Sequence, residues 1–164
     1  MKFQLENMLM EQQADFFRVV PFDPENEKLS ALDISKNNAA FNETVYRDTD
    51  TFSEYINEKL AAHQAKYLIG GYREHRVMYS RSNLFDKNLS ADESKIEEPR
   101  CIHLGTDIWG AIGTKIYAPL GGMVQSFAFN NNYGDYGVTI ILQHQLKTIN
   151  FYTLYGHLSI KDIA

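Results

Sequence analysis

The second half of the chain is a series of short apolar or alternating runs with turn signals between them. The runs lie at 116–118, 123–129, 138–144 and 150–157, and the turn signals at 119–122, 130–134 and 145–148. Runs of this length and spacing are typical of an antiparallel meander or barrel rather than of alternating strands and helices. We therefore predict a mainly β domain (α+β class) with an antiparallel, barrel-like sheet and an N-terminal helical extension.

The first half of the chain predicts helices and loops. Residues 1–20 have a weak helical pattern that Pro21 ends, and residues 28–50 read mostly as loop. A clearer helix is predicted over 51–66, with Thr51 and Glu54 at capping-box spacing and Gly70–Gly71 as its end. The organisation is thus an extension over 1–68 followed by a domain over 69–164. Within that domain we expect a strand at 73–82 and a charged surface loop at 86–99.

Charge and hydropathy exclude several kinds of partner. With 16 Lys and Arg against 21 Asp and Glu, the net charge is −5, and no basic stripe is present that would neutralise nucleic acid phosphates. No stretch approaches the roughly 18 apolar residues of a membrane span. Acidic residues interrupt the first twenty positions, so no secretory signal is recognised and a cytoplasmic location is expected.

The sharpest chemical motif is His103-Leu-Gly-Thr-Asp107. In a straight strand these two side chains would lie roughly 13 Å apart, whereas two ligands of one zinc ion lie about 3–4 Å apart. The pair can share a metal only if the chain bends between them, and Gly105 provides a place to bend. An isolated His and Asp at this spacing are more often a hydrogen-bonded surface pair.

The second motif is Phe151-Tyr-Thr-Leu-Tyr-Gly-His157-Leu-Ser159. Strand alternation places Phe151, Thr153, Tyr155 and His157 on one face, with Tyr152, Leu154 and Leu158 on the other. A histidine at the end of such a face can meet a reacting group in a cleft. A half-buried histidine bonded to a backbone carbonyl is the alternative interpretation.

Taken together, the two motifs and the strands between them resemble the lysostaphin/LytM-type zinc metalloendopeptidases, which cut peptide cross-links of bacterial peptidoglycan. The stretches that carry the resemblance are His103–Ile108, Gly113–Pro119, Gly121–Val124, Tyr136–His144 and Phe151–Ser159. A weaker match covers Gly70–Arg76, which is similar to a strand that borders the cleft in one branch of that family.

The resemblance implies a role for each matching residue. His103 and Asp107 become zinc ligands, and His157 becomes a catalytic histidine that does not bind the metal. Tyr155 is a candidate for the substrate groove, and His144 is read as structural. Zinc is the implied cofactor, a peptidoglycan peptide or another peptide the implied substrate, and a glycine-containing bond the family default.

The remaining family motif, His-x-His in a later strand, does not occur in these residues. It carries the third zinc ligand and a second catalytic histidine, so we expect a C-terminally truncated peptidase domain. His75 is the candidate substitute ligand. A shortened sheet would expose an edge, and self-association through that edge is expected.

Three functional hypotheses follow. The first is a truncated peptidoglycan endopeptidase. The second is a non-catalytic pseudoenzyme that binds a cell-wall peptide or a protein partner. The third is an unrelated small β-rich binding domain whose histidines serve packing alone.

Overall fold

The computed structural model describes residues 2–82 and 100–163. The expected charged loop at 86–99 lies outside the described residues. The chain divides into two compact units. We call Asp23–Ile112 the central unit, and Met1–Phe22 with Gly113–Ala164 the split unit.

The described elements are mainly β-strands, as the sequence predicted. The helices are α1 (Lys2–Glu11), α2 (Glu43–Tyr46) and α3 (Thr49–His63). The strands are β1 (Leu29–Ala31), β2 (Tyr67–Gly70), β3 (Glu74–His75), β4 (Ile102–His103), β5 (Asp107–Trp109), β6 (Met123–Asn130), β7 (Gly137–Leu146) and β8 (Ile149–Leu158). Single turns of 3₁₀ helix lie at Gln13–Asp15, Val77–Arg81 and Ile160–Asp162.

The central unit contains a three-stranded sheet and a two-stranded ribbon. In the sheet, β2 lies between β1, with which it is parallel, and β5, with which it is antiparallel. The ribbon joins β3 and β4 in antiparallel register, with Glu74 opposite His103 and His75 opposite Ile102. These two pairings place β4 beside β3 and β5 beside β2, strands that come earlier in the chain.

The apolar side of the central sheet is covered by α3 and the segment before it. Their common core consists of Leu32, Ile34, Phe41, Tyr55, Ile56 and Leu68. Ile34 and Leu68 are both fully buried, at 0% exposure. This core holds β2 in place, and β2 in turn positions β5 by strand pairing.

Helix α3 begins and ends differently from the prediction. Asp48 is the N-cap, and its carboxylate accepts the backbone N–H of Thr51 at 2.9 Å, so Thr51 lies inside the first turn. The helix ends at Gln64, whose left-handed φ of 50° closes it. The expectation that Gly70–Gly71 ends this helix was wrong, because Gly70 is the last residue of β2. A local capping pattern cannot distinguish between several adjacent Asp and Thr residues.

Other predicted element boundaries also differ from those in the structure. The first helix is shorter than 1–20, and the strand expected over 73–82 is confined to β3, because a 3₁₀ turn at Val77–Arg81 follows it. No strand forms at 116–118. There the backbone N–H of Tyr117 instead donates a hydrogen bond to the backbone carbonyl of Val19, at 2.8 Å.

The split unit contains one antiparallel sheet in the order β6–β7–β8. Strands β7 and β8 form a hairpin in which Leu146 faces Ile149, with Lys147 in the left-handed region at φ 53°. Bulges interrupt the ladders between Val124 and Ser126 in β6 and opposite Val138–Ile140 in β8. No helix among the described residues combines the length and apolar character needed to cross a bilayer.

Replacement of Leu68 by alanine should lower the free energy of unfolding by about 2–5 kcal/mol, because it leaves a cavity at a fully buried site. Leu29→Ala is the matched control, since Leu29 lies in the neighbouring strand and is 39% exposed. Its cost should stay below about 1 kcal/mol. Urea unfolding of the three proteins measures the difference, and equal costs would show that this core does not carry the central unit.

Candidate metal centre

The candidate site of the central unit is built from the two strand pairings around β4 and β5. His103 is the last residue of β4 and Asp107 the first residue of β5. The three residues between them form a bend at Gly105. His103 Nε2 lies 3.5 Å from Asp107 Oδ1, so the chain bends as sharing a metal requires.

The two facing atoms have the spacing of zinc ligands. Tetrahedral zinc with bonds of about 2.0–2.2 Å places its donor atoms roughly 3.4 Å apart. Nε2 of His103 is buried and makes no hydrogen bond to any described residue of its unit. A side chain at Gly105 would crowd it, because a Cβ there would lie 2.9 Å from Nε2. The site thus keeps one imidazole nitrogen clear and points it at a carboxylate oxygen, which fits a metal ion.

The other nitrogen of His103 is already bonded. Its Nδ1 lies 2.6 Å from the hydroxyl of Tyr79, and the two rings meet edge to face with centroids 6.3 Å apart. Tyr79 belongs to the 3₁₀ turn Val77–Arg81. An outer partner of this kind is usual for a histidine that binds a metal.

The other oxygen of Asp107 is held by Arg76. Arg76 Nη1 lies 2.5 Å from Asp107 Oδ2, and its Nε donates to Glu74 at 2.8 Å. Glu74 also accepts the backbone N–H of Ile34 at 3.2 Å. The Arg76 side chain is 5% exposed. Arg76 therefore ties the Asp107 carboxylate to the ribbon and leaves Oδ1 facing His103.

The surroundings of Asp107 lower the pKa of its carboxyl. Burial raises the pKa of its carboxyl, but the neighbouring His103 and the positive charge of Arg76 lower it by more, and the net pKa lies below its ordinary value. A carboxylate must be ionised to bind a metal. This requirement is therefore met throughout the neutral range.

His75, the expected substitute ligand, lies on the other side of the ribbon. Residues directly opposite in an antiparallel pair share a face, so Glu74 and His103 lie on one face and His75 lies with Ile102 on the other. Within residues 2–82 and 100–163, no group of three or more His, Cys, Asp or Glu side chains could hold a metal ion. The structure thus brings His103 and Asp107 together and leaves His75 apart from them.

The remaining candidates, His157 and Tyr155, belong to the split unit. His157 lies in a bulge of β8, is exposed and has φ 56°. Its backbone N–H donates to Tyr136 at 2.7 Å. This left-handed conformation is uncommon for a non-glycine residue, and here it accommodates the bulge.

The bulge corrects the predicted alternation of β8. Ile140 faces Tyr155 while Val138 faces Leu158, so β8 has one extra residue between these pairs. Leu158 therefore shares the face of Tyr155, whereas the sequence had predicted that face for His157. Simple alternation cannot foresee a bulge, although the Gly156-His157 pair is a place where one forms readily.

Tyr155 takes part in a chain of hydrogen bonds that starts at His144. His144 is 1% exposed and bonds through Nδ1 to the carbonyl of Gly121 at 3.0 Å and through Nε2 to Thr153 at 2.7 Å. Thr153 in turn lies 3.1 Å from the Tyr155 hydroxyl. His144 thus has both nitrogens bonded within the split unit, which agrees with a structural role.

With this geometry established, comparison with known proteins shows which class and which family part of the chain resembles. Residues 101–163 match a family of peptidases, and the family is Peptidase family M23. This segment, which contains His103, Asp107, Tyr155 and His157, is therefore similar to Peptidase family M23, and the resemblance seen in the sequence is confirmed. Members of this family are generally zinc-dependent. The chain matches no curated protein and no solved structure.

Arg76→Met should lower the free energy of unfolding by about 3–5 kcal/mol. The change leaves the carboxylates of Glu74 and Asp107, at 11% and 28% exposure, without their cation. Arg47→Met is the control, because the Arg47–Asp48 pair is largely exposed and separated by 3.7 Å. Its cost should remain within about 0.5 kcal/mol. Chemical denaturation measures both variants, and a small cost for Arg76→Met would contradict the role given to this ion pair.

Proposed function

We propose that this protein acts as a zinc-dependent endopeptidase on the peptide cross-links of bacterial peptidoglycan. The observation that supports it best is the approach of His103 Nε2 to Asp107 Oδ1, at 3.5 Å, within a segment that matches a peptidase family. Coincidental surface pairing explains this arrangement poorly, because Nε2 is buried and the His103 side chain is only 12% exposed.

In this proposal His103 and Asp107 hold the metal. Zinc, when bound, polarises the scissile carbonyl and lowers the pKa of a bound water molecule to about 7. Arg76 and Tyr79 keep the two ligands in place from outside. The family's third ligand belongs to a His-x-His motif that these 164 residues do not contain.

His157 is proposed as the proton-transfer group. Its imidazole is exposed and therefore accessible to substrate and water. A ring nitrogen of His157 accepts a proton as water attacks and returns it to the departing amine. Tyr155 is proposed to line the groove that receives the peptide, with its hydroxyl placed by Thr153 and His144.

The proposed substrate follows from the family resemblance and from how closely a peptide bond can approach the metal. A peptide bond next to glycine has no adjacent side chain, so its carbonyl can come close to a partly buried metal. Glycine-containing bonds in cross-linking peptides are therefore the preferred candidates. Self-association through the outer edge of β6 or β8 remains a proposal. A cytoplasmic location remains a proposal as well, whereas the substrate of the family lies outside the cytoplasm.

The family and the site can also serve binding without cleavage. In that second candidate function the same site holds a cell-wall peptide or a protein partner, and no peptide bond is broken. It is favoured by the finding that, among the described residues, only two metal-ligating side chains converge. The two candidates differ in a single measurable event, which is the release of soluble fragments.

We predict that the full chain, supplied with zinc, releases soluble fragments from purified peptidoglycan. His103→Ala should abolish this release, because it removes a metal ligand. His157→Ala should reduce it by about 10²–10⁴-fold, which is the range for loss of a general acid or base. A dye-release assay on labelled cell-wall sacculi measures all of these proteins.

His63→Ala is the control for these histidine changes. His63 is exposed and lies at the end of α3 in the central unit. Its Nδ1 lies 2.5 Å from the hydroxyl of Ser30. Its removal should leave the release unchanged. Sedimentation of the wild-type protein with sacculi, without fragment release, would support the binding function instead. Release that survives His103→Ala would overturn the metal-dependent proposal.

A further inference from the structure

The hydroxyl of Tyr79 lies next to the ring nitrogen of His103 that does not face Asp107. It lies 2.6 Å from Nδ1, while Nε2 lies 3.5 Å from Asp107 Oδ1. The two ring nitrogens thus have different surroundings: Nδ1 has a close hydrogen-bond partner and Nε2 has none among the described residues of its unit. This asymmetry suggests a specific task for Tyr79.

The task follows from the tautomers of imidazole. A neutral histidine carries one ring proton, and the nitrogen without it is the one that can bind a metal. If the proton is on Nδ1, it is donated to the oxygen of Tyr79, and the lone pair of Nε2 is available beside Asp107. If the proton is on Nε2, Tyr79 donates to Nδ1 and the ring cannot bind a metal through the atom that faces Asp107.

The surroundings of the ring restrict its rotation as well. The edge-to-face contact with Tyr79, with an interplanar angle of 68°, lies on one side of His103. On another side, a Cβ at Gly71 would lie 3.2 Å from His103 Cδ2, so the backbone of Gly71 already packs closely against the ring. Rotating the ring to exchange its nitrogens would break the bond to Tyr79.

We propose that Tyr79 is a positioning residue that accepts the Nδ1 proton of His103 and so presents Nε2 for metal binding beside Asp107. The inference rests on the proposed function, because the orientation has a purpose only if His103 is a ligand. It extends that function by assigning a role to a residue that lies 24 positions before His103 and outside the segment that matches the peptidase family.

The matched variants are Tyr79→Phe and Tyr72→Phe. The first removes only the hydroxyl and retains the ring that packs on His103. The second makes the same chemical change in the same unit, at a side chain that is 67% exposed. The protein used is the full chain labelled with ¹⁵N, titrated with zinc alone, and its ring nitrogens are followed by long-range ¹H–¹⁵N spectra.

In the wild-type protein, zinc should shift the Nε2 resonance of His103 and leave the ring proton on Nδ1. Tyr79→Phe should bind zinc about 10–100-fold more weakly, which is the usual effect of losing an outer partner of a ligand. Tyr72→Phe should bind zinc as the wild type does. The Nδ1 proton of zinc-bound His103 should also exchange faster with water in Tyr79→Phe, which a merely structural role would not produce.

Two results would overturn the inference alone. One is equal zinc affinity of the wild type and Tyr79→Phe, and the other is zinc bound through Nδ1 of His103 in the wild type. The second result comes from the unaltered protein, so it decides the matter even if Tyr79→Phe fails to fold. No response of His103 to zinc in the wild type would overturn the proposed function, and this inference with it.

Discussion

The candidate metal centre depends on one buried cation. Arg76, at 5% exposure, lies between the carboxylates of Glu74 and Asp107. A buried charge is tolerated only when it is paired and hydrogen-bonded, so Arg76 requires both partners and both partners require Arg76. Because Glu74 belongs to β3 and Asp107 to β5, the ion pair fixes the start of β5 relative to the ribbon that carries His103. The short distance between His103 and Asp107 is a consequence of that arrangement.

The same contacts explain which parts of the site the sequence could reveal. His103 and Asp107 were found because their motif and the strands after it resemble a known family, and because a metal requires a bend that Gly105 permits. Arg76 was included in a matching segment but received no role, and Tyr79 was missed. Both act through contacts with residues more than twenty positions away, and neither contact has a signature in local periodicity.

The fold was predictable to a similar degree. Long alternating runs gave β6, β7 and β8 to within a few residues, because period-two patterning on a half-buried sheet is a strong signal. The short strands β1, β3, β4 and β5 have only two or three residues each, and their pairing is determined by the core around Leu68 rather than by their own sequence. The sequence predicted that His157 lies in β8, but it did not predict the bulge that contains it. Its left-handed backbone directs this histidine away from the regular alternation of β8.

The most direct test of the candidate metal centre is X-ray absorption at the zinc edge, on the zinc-loaded wild-type chain and on His103→Ala. We predict one imidazole nitrogen at about 2.0–2.1 Å from zinc and a carboxylate oxygen at about 2.0–2.2 Å in the wild type. The imidazole contribution should disappear in the variant. Zinc bound without an imidazole, or an identical spectrum from His103→Ala, would show that His103 and Asp107 do not form the metal centre.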